Sequence, residues 1–197
     1  MSFDFPILNY IQKNFKSDLM DDLMTFFTRL GNAGLIWIIL ILILVIIPKT
    51  RRLGWTVALA VAMEALCNAA VKPVFARVRP CYINENVRML ISRPADYSFP
   101  SGHSGASFAA ASALFYRRRK DKNKLWLPSF ILAALIAFSR LYLYVHYPTD
   151  VMAGVLLGIL FGKLSDVIVG GMEIKVRDKE PVRDAHADTE STVQDRK

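Results

Sequence analysis

From Ile36 to Ile47 the chain contains only Ile, Leu, Val and Trp, and this stretch closes an apolar block, residues 23 to 47, that ends at Pro48. A run of that length and composition reads as a membrane span. Four more apolar blocks follow, at 53 to 72, 101 to 116, 125 to 145 and 151 to 169. Lipid offers backbone amides no partner, so each block must satisfy its own hydrogen bonds as a helix. The expected fold is therefore an all-α integral membrane bundle of about five transmembrane helices. Composition agrees: 53% of the 197 residues are hydrophobic and the mean hydropathy is +0.30, too apolar for a soluble domain of this length. Three segments are expected: an N-terminal segment at 1 to 22, a single transmembrane domain at 23 to 169, and a polar, charge-mixed, disordered cytoplasmic tail at 170 to 197.

The formal charge is +8. It does not read as a nucleic-acid surface, because the basic residues gather at the ends of apolar blocks, where they set topology. The turn at 48 to 52 and the run at 117 to 124 hold nine Lys and Arg against one acid, Asp121. Both turns are expected in the cytoplasm. Five spans then place the N-terminus outside, the C-terminus inside, and the loop from Pro73 to Phe99 on the extracytoplasmic side. The N-terminus lacks a basic region followed by a short apolar core, so no cleaved signal peptide is expected. Cys67 falls inside a span and Cys81 outside it, so no disulfide is expected, and neither has metal-ligand spacing.

Polar residues within the blocks show which faces avoid lipid. Residues 1 to 22 mix Phe3, Phe5, Ile7, Leu8, Ile11 and Phe15 with charges, and read either as an interfacial helix or as a frayed terminus. Arg29, Gly31, Asn32 and Gly34 turn the start of the first span toward protein or water. Glu64, Asn68 and Lys72 recur every four residues and share one helix face, which should point into the bundle; Glu64 and Asn68 read as a packing stripe. The third span is short, about 24 Å at helical rise, and its Gly105, Ala109 and Ala113 face suits the bundle centre. Gly154, Gly158 and Gly162 in the fifth span read as close helix packing.

Three polar stretches converge on the outer side. Ser101 and Gly102 open the third helix, where free N–H groups and the helix dipole favour an anion and glycine lets it approach. His103, in the first turn, would lie beside that anion. His146 precedes the fifth helix and Asp150 lies in its first turn, a spacing that lets the carboxylate accept from one imidazole nitrogen and leave the other's lone pair free to attack. Lys72, Arg79 and Arg140 bring cations from three segments, which suits phosphoryl transfer, where catalysis is mostly positioning and charge stabilisation. Arg77 and Arg93 read as loop charges, and His186 as a solvated tail residue.

Lys72 with Arg79-Pro80, Pro100-Ser-Gly-His103, and Ser139-Arg140 with His146 and Asp150 together resemble the three-part signature of the type 2 phosphatidic acid phosphatase family. The resemblance implies a metal-independent membrane hydrolase of lipid phosphates without a cofactor. It implies His146 as the nucleophile forming a phosphohistidine, Asp150 as its orienting partner, and His103 as the group that protonates the leaving oxygen and then activates water. Lys72, Arg79, Ser101, Gly102 and Arg140 would bind the phosphate. With the site facing outward, undecaprenyl diphosphate is the first-choice substrate, and phosphatidylglycerophosphate or phosphatidate the alternative. Vanadium-dependent haloperoxidases have a similar site, but the lipid-length spans argue against that reading; a non-enzymatic lipid-binding protein would not need both histidines and the aspartate.

The orientation is testable. A cysteine at Asn86, with Cys67→Ser and Cys81→Ser, should react with a membrane-impermeant thiol reagent in intact cells (spheroplasts, if there is an outer membrane). Labelling only after permeabilisation would invert the topology.

Overall fold

The computed structural model describes residues 3 to 177, and all regular secondary structure among them is helical. Among the described residues, five helical stretches form the bundle. The first is broken: α2 (Asp18–Gly31) and α3 (Leu35–Ile46) meet at a 3₁₀ turn, Asn32–Gly34, where Ala33 and Gly34 have φ of 50° and 70°. The others are α4 (Arg51–Phe75), α6 (Gly102–Arg117), α7 (Trp126–Tyr142) and α8 (Pro148–Arg177). Two helices stand outside the passages, α1 (Asp4–Asn14) before them and the single turn α5 (Pro80–Ile83) in the loop after α4. Asp18–Ile46, Arg51–Ile83 and Pro148–Met172 are long and apolar enough to cross a membrane, and α7 is a shorter apolar helix.

Helix α6 is wrapped by the others, packing most extensively on α8 and then on α4 and α7. Small side chains make this possible. A methyl on Gly154 would come within 2.5 Å of the Ser101 carbonyl, and one on Gly158 within 2.5 Å of the Gly105 carbonyl. The glycine series of α8 is thus a packing surface for α6, as its four-residue period predicts. Around α6 lie Trp37, Leu53 and Ile136, with Trp37 Nε1 donating to Ser107 Oγ at 2.9 Å. The outer surface is apolar: Ile39, Leu42, Ile46, Leu66, Ile131, Leu156 and Leu160 are exposed. With no lipid contact needed, α6 can be short and rich in Ser and Ala.

Several boundaries differ from the sequence reading. The first passage begins at Asp18 rather than residue 23, because Ser17 Oγ accepts from Met20 N at 3.3 Å and caps it. Helix α4 continues through Pro73 to Phe75, since a proline in the last turn removes only one amide, and Ala76 at φ 44° then ends it. The loop from 73 to 99, expected to have no helix, therefore opens with that last turn and contains α5, whose first residue is Pro80. Helix α8 passes Gly170, where the tail was expected to begin, and runs to Arg177. The rest of that expected tail, with His186, lies outside the described residues.

The N-terminal segment is helical. Leu8 and Ile11 of α1 are buried, Leu8 beside Tyr144 and Tyr147, while Phe3, Tyr10 and Phe15 stay exposed. The helix is docked onto the α7–α8 loop and keeps an apolar flank outward.

Candidate active site

The site forms where the loop ends of α4, α6, α7 and α8 meet the break between α2 and α3. Helix α4 presents Val61, Glu64, Ala65, Asn68, Ala69 and Lys72 to one cavity of about 460 Å³, which Arg79, Gly102, His103, Arg140 and His146 also line. Asn68 ties two of these elements together: its amide donates to Glu64 Oε1 and to the Pro100 carbonyl, both at 3.3 Å. The Glu64–Asn68 stripe is thus hydrogen-bonded packing, as its spacing suggested, and it also borders the cavity.

At the start of α6, Ser101 is the N-cap. Its hydroxyl is 3.4 Å from Ser104 N and 3.0 Å from Ser104 Oγ, and its own amide donates to the Asp150 carbonyl at 3.1 Å. Ser101 therefore locks α6 to α8 and lies behind the cavity wall, while Gly102 faces the cavity. His103 Nε2 lies 3.0 Å from Asn32 Oδ1 in the 3₁₀ turn. Gly31 leaves room for the ring, since a methyl there would sit 2.7 Å from His103 Cδ2.

Arg79 covers His146. Its Nη1 lies 2.9 Å from His146 Nε2 and donates to the Val145 carbonyl at 2.7 Å. A guanidinium has donors only, so Nε2 accepts and carries the lone pair, and the ring proton sits on Nδ1, facing Asp150. Burial, together with Arg79, Arg140 and Lys72, pushes the His146 pKa well below its ordinary value. The imidazole is neutral, with its lone-pair nitrogen Nε2 turned toward the cations.

Asp150 departs from the expected contact. His146 Nδ1 is 3.5 Å from Asp150 Oδ2 and makes no hydrogen bond in this state. The carboxylate is occupied elsewhere. Its Oδ2 accepts from Ser98 Oγ and, at 2.9 Å, from Tyr147 N, the amide just before α8, and its Oδ1 accepts from Arg77 at 2.5 Å. Catalytic hydrogen bonds often tighten only around substrate.

Arg140, at the end of α7, is 3% exposed. One Nη1 donor reaches Thr28 Oγ1, but Nε has no hydrogen-bond partner. A buried guanidinium with a spare donor beside a cavity is set to receive an anion.

Arg77 overturns its reading as a loop charge. It bridges Asp150 Oδ1 and Asp4 Oδ2, the latter at 2.7 Å, donates to Thr149 Oγ1 at 2.7 Å, and stacks 3.9 Å above the Tyr147 ring. The two carboxylates raise its pKa, although burial works the other way. Asp4 also accepts from Thr149 N at 3.1 Å, so α1 buttresses the carboxylate behind His146. The sequence singles out none of Thr28, Asp96 and Asp4, and Asn32 reads there only as part of the stretch that turns the start of the first span toward protein or water. Arg93, by contrast, contacts only its own loop, through the Glu85 carbonyl at 3.4 Å and the Tyr82 ring at 5.7 Å.

The Arg77 bridge predicts a positioning effect. Arg77→Gln should lower kcat roughly ten- to a hundredfold, the scale of a lost charged hydrogen bond of about 1.5–3 kcal/mol, with KM nearly unchanged. Arg77→Lys should rescue only partly, since an ammonium does not reproduce the planar fork. A large rise in KM with kcat kept would instead place Arg77 on the substrate.

The sequence places this geometry in a known family. Residues 53 to 170 match the model of the PAP2 superfamily. An undecaprenyl-diphosphatase from Sulfolobus acidocaldarius is 32% identical over 82% of this chain and 74% of its own. The crystal structure of Aquifex aeolicus LpxE superposes with a TM-score of 0.72 at 30% identity, covering 84% of this chain and 95% of that one. A PAP2-type phosphatidylglycerolphosphate phosphatase from Bacillus subtilis gives 0.69 at 27% identity, over 89% and 86%. The chain belongs to the PAP2 superfamily, as a multi-pass membrane hydrolase of lipid phosphates.

Proposed function

We propose that the protein removes the terminal phosphate of a polyprenyl diphosphate through a phosphohistidine at His146, on the extracytoplasmic face. The carrying observation is the single cavity that joins cations to an apolar wall. Val61, Ala65, Ala69 and Lys72 follow one face of α4 over about 16 Å at helical rise, and all four line it. The cation stands at the loop end and the apolar residues lie deeper in the span. Ala33 and Gly34 at the break in the first passage complete the apolar side. An amphiphile with a phosphate head and a hydrocarbon tail fits that polarity.

The chemistry follows from the side chains. Lys72, Arg79, Arg140 and the Gly102 end of α6 take the equatorial oxygens. As Arg79 turns to the phosphate it uncovers His146 Nε2, which forms the N–P bond while the P–O bond to the lipid breaks. His103, which takes up a proton once the phosphate's negative charge is seated beside it, gives that proton to the leaving oxygen. The Nδ1 proton of His146 moves against Asp150, which stabilises the cationic ring. Neutral His103 then takes a proton from water, the new P–O bond forms, and the N–P pair returns to His146. Every step uses this chain's own groups.

Two observations favour a diphosphate. The three cations match the roughly three negative charges of a diphosphate monoester near neutral pH, and a relative that covers most of the chain is named for that activity. The outward orientation rests on the Lys and Arg bias of the 48–52 and 117–124 turns. A second reading, phosphatidylglycerophosphate or phosphatidate, is favoured by the structural likeness to the Bacillus subtilis enzyme.

Phosphate release from undecaprenyl diphosphate, phosphatidylglycerophosphate and phosphatidate, with and without EDTA, discriminates these readings. The expected result is turnover unaffected by EDTA, with the highest kcat/KM on undecaprenyl diphosphate. Preference for phosphatidylglycerophosphate would establish the second reading, and release from none of the three would refute both.

A further inference from the structure

The seat between Lys72 and Arg79 already holds an anion. Asp96 Oδ2 takes the Lys72 ammonium, and Asp96 Oδ1 takes Arg79 Nη2 at 2.7 Å. One carboxylate thus bridges both cations as two phosphate oxygens would. The Asp96 side chain is 55% exposed, against 15% for Lys72 and 3% for Arg79, so it stands at the mouth with the cations behind it. Burial opposes its ionisation, yet Lys72 and Arg79 hold its pKa down to about 2. It is charged at any pH near neutrality.

The cations do not depend on this carboxylate for their place. The Tyr97 carbonyl accepts from Lys72 at 2.8 Å, and the Asp96 carbonyl accepts from Arg79 Nε at 2.8 Å. The Val145 carbonyl takes Arg79 Nη1. Backbone oxygens therefore fix both groups, and the Asp96 side chain can swing into solvent without releasing them.

We propose that Asp96 is an internal competitor that fills the Lys72–Arg79 seat and sets an affinity threshold that a phosphate group bearing more than one negative charge clears and a weaker-binding phosphodiester does not. A phosphomonoester dianion or a diphosphate brings more charge and more free oxygens than the carboxylate, so the exchange is favourable. A phosphodiester brings one charge and two esterified oxygens, and gains nothing over the group it displaces. The device keeps phosphodiester headgroups of the surrounding bilayer out of a site built to bind phosphate, by unfavourable exchange rather than by shape. It rests on the phosphate-binding role of Lys72 and Arg79 proposed above.

The test uses the full-length chain in detergent, assayed on a short-chain phosphatidate. Competitive inhibition constants are measured for inorganic phosphate and for dioctanoyl phosphatidylglycerol, a phosphodiester monoanion. Asp96→Asn should bind both inhibitors more tightly and by the same factor, about tenfold, equivalent to roughly 1.4 kcal/mol, because either ligand must displace the same internal carboxylate. Asp96→Glu, which restores the charge, should restore both constants toward their wild-type values. If Asp96→Asn does not fold, Asp96→Ser carries the same expectation. Unchanged or weaker inhibition in the neutral variants, or a gain confined to one of the two inhibitors, would overturn the proposal and leave Asp96 as a support for the cations. Absence of competition by phosphate in the wild type would refute the phosphate seat itself, and this inference with it.

Discussion

Three cations lie close together at one end of a bundle whose outer surface is made for lipid. Taken from water into such surroundings without a partner, each would cost several kcal/mol, and their mutual repulsion would add to that. Much of the local structure is an answer to this. Lys72 and Arg79 share the Asp96 carboxylate and three backbone carbonyls, while Arg140 has Thr28 and a spare donor. The arrangement is satisfied enough to fold and unsatisfied enough to bind an anion. Burial, together with the same cations, keeps His146 neutral, as its proposed role as nucleophile requires.

Placement of these groups depends on how closely α6 and α8 approach. Gly154 meets the Ser101 carbonyl, and the Ser101 amide meets the Asp150 carbonyl. The start of one helix is thereby registered against the first turn of the other. Asp150 is fixed further by Ser98, Tyr147 and Arg77, so the carboxylate behind His146 has little freedom. A larger side chain at Gly154 or Gly158 would part the helices and separate the start of α6, the proposed anion-binding end, from His146, the proposed nucleophile. The packing glycines, which touch no substrate, therefore set the geometry on which the chemistry rests.

The sequence made the core of this site legible because its groups are tied to helix ends. Gly102 and His103 follow an N-cap serine, Asp150 follows Pro148 at a helix start, and Lys72 closes a polar stripe on α4. Spacing along a helix reports direction, so their convergence could be inferred. What escaped lies in long-range pairs for which the sequence carries no period. Arg77 gains its role from Asp4, more than seventy positions away, and from Asp150. Asp96 is an acid in a loop and looks solvated until the fold brings Lys72 and Arg79 to it. The contact between His146 and Asp150 was expected as a hydrogen bond and stands at 3.5 Å, because sequence spacing cannot show that Ser98 and the Tyr147 amide compete for the same oxygen.

The central claim is that His146 Nε2 takes the phosphoryl group, and a direct trapping experiment tests it. Purified wild type and His103→Ala are mixed with lipid phosphate radiolabelled in its terminal phosphate, quenched in base within one turnover, and digested for peptide mapping. The account predicts acid-labile, base-stable label on the peptide containing His146, with more of it in His103→Ala, where hydrolysis of the intermediate lacks its base. It also predicts no label and no turnover in His146→Ala. Label on another residue, or substantial phosphate release by His146→Ala, would contradict it.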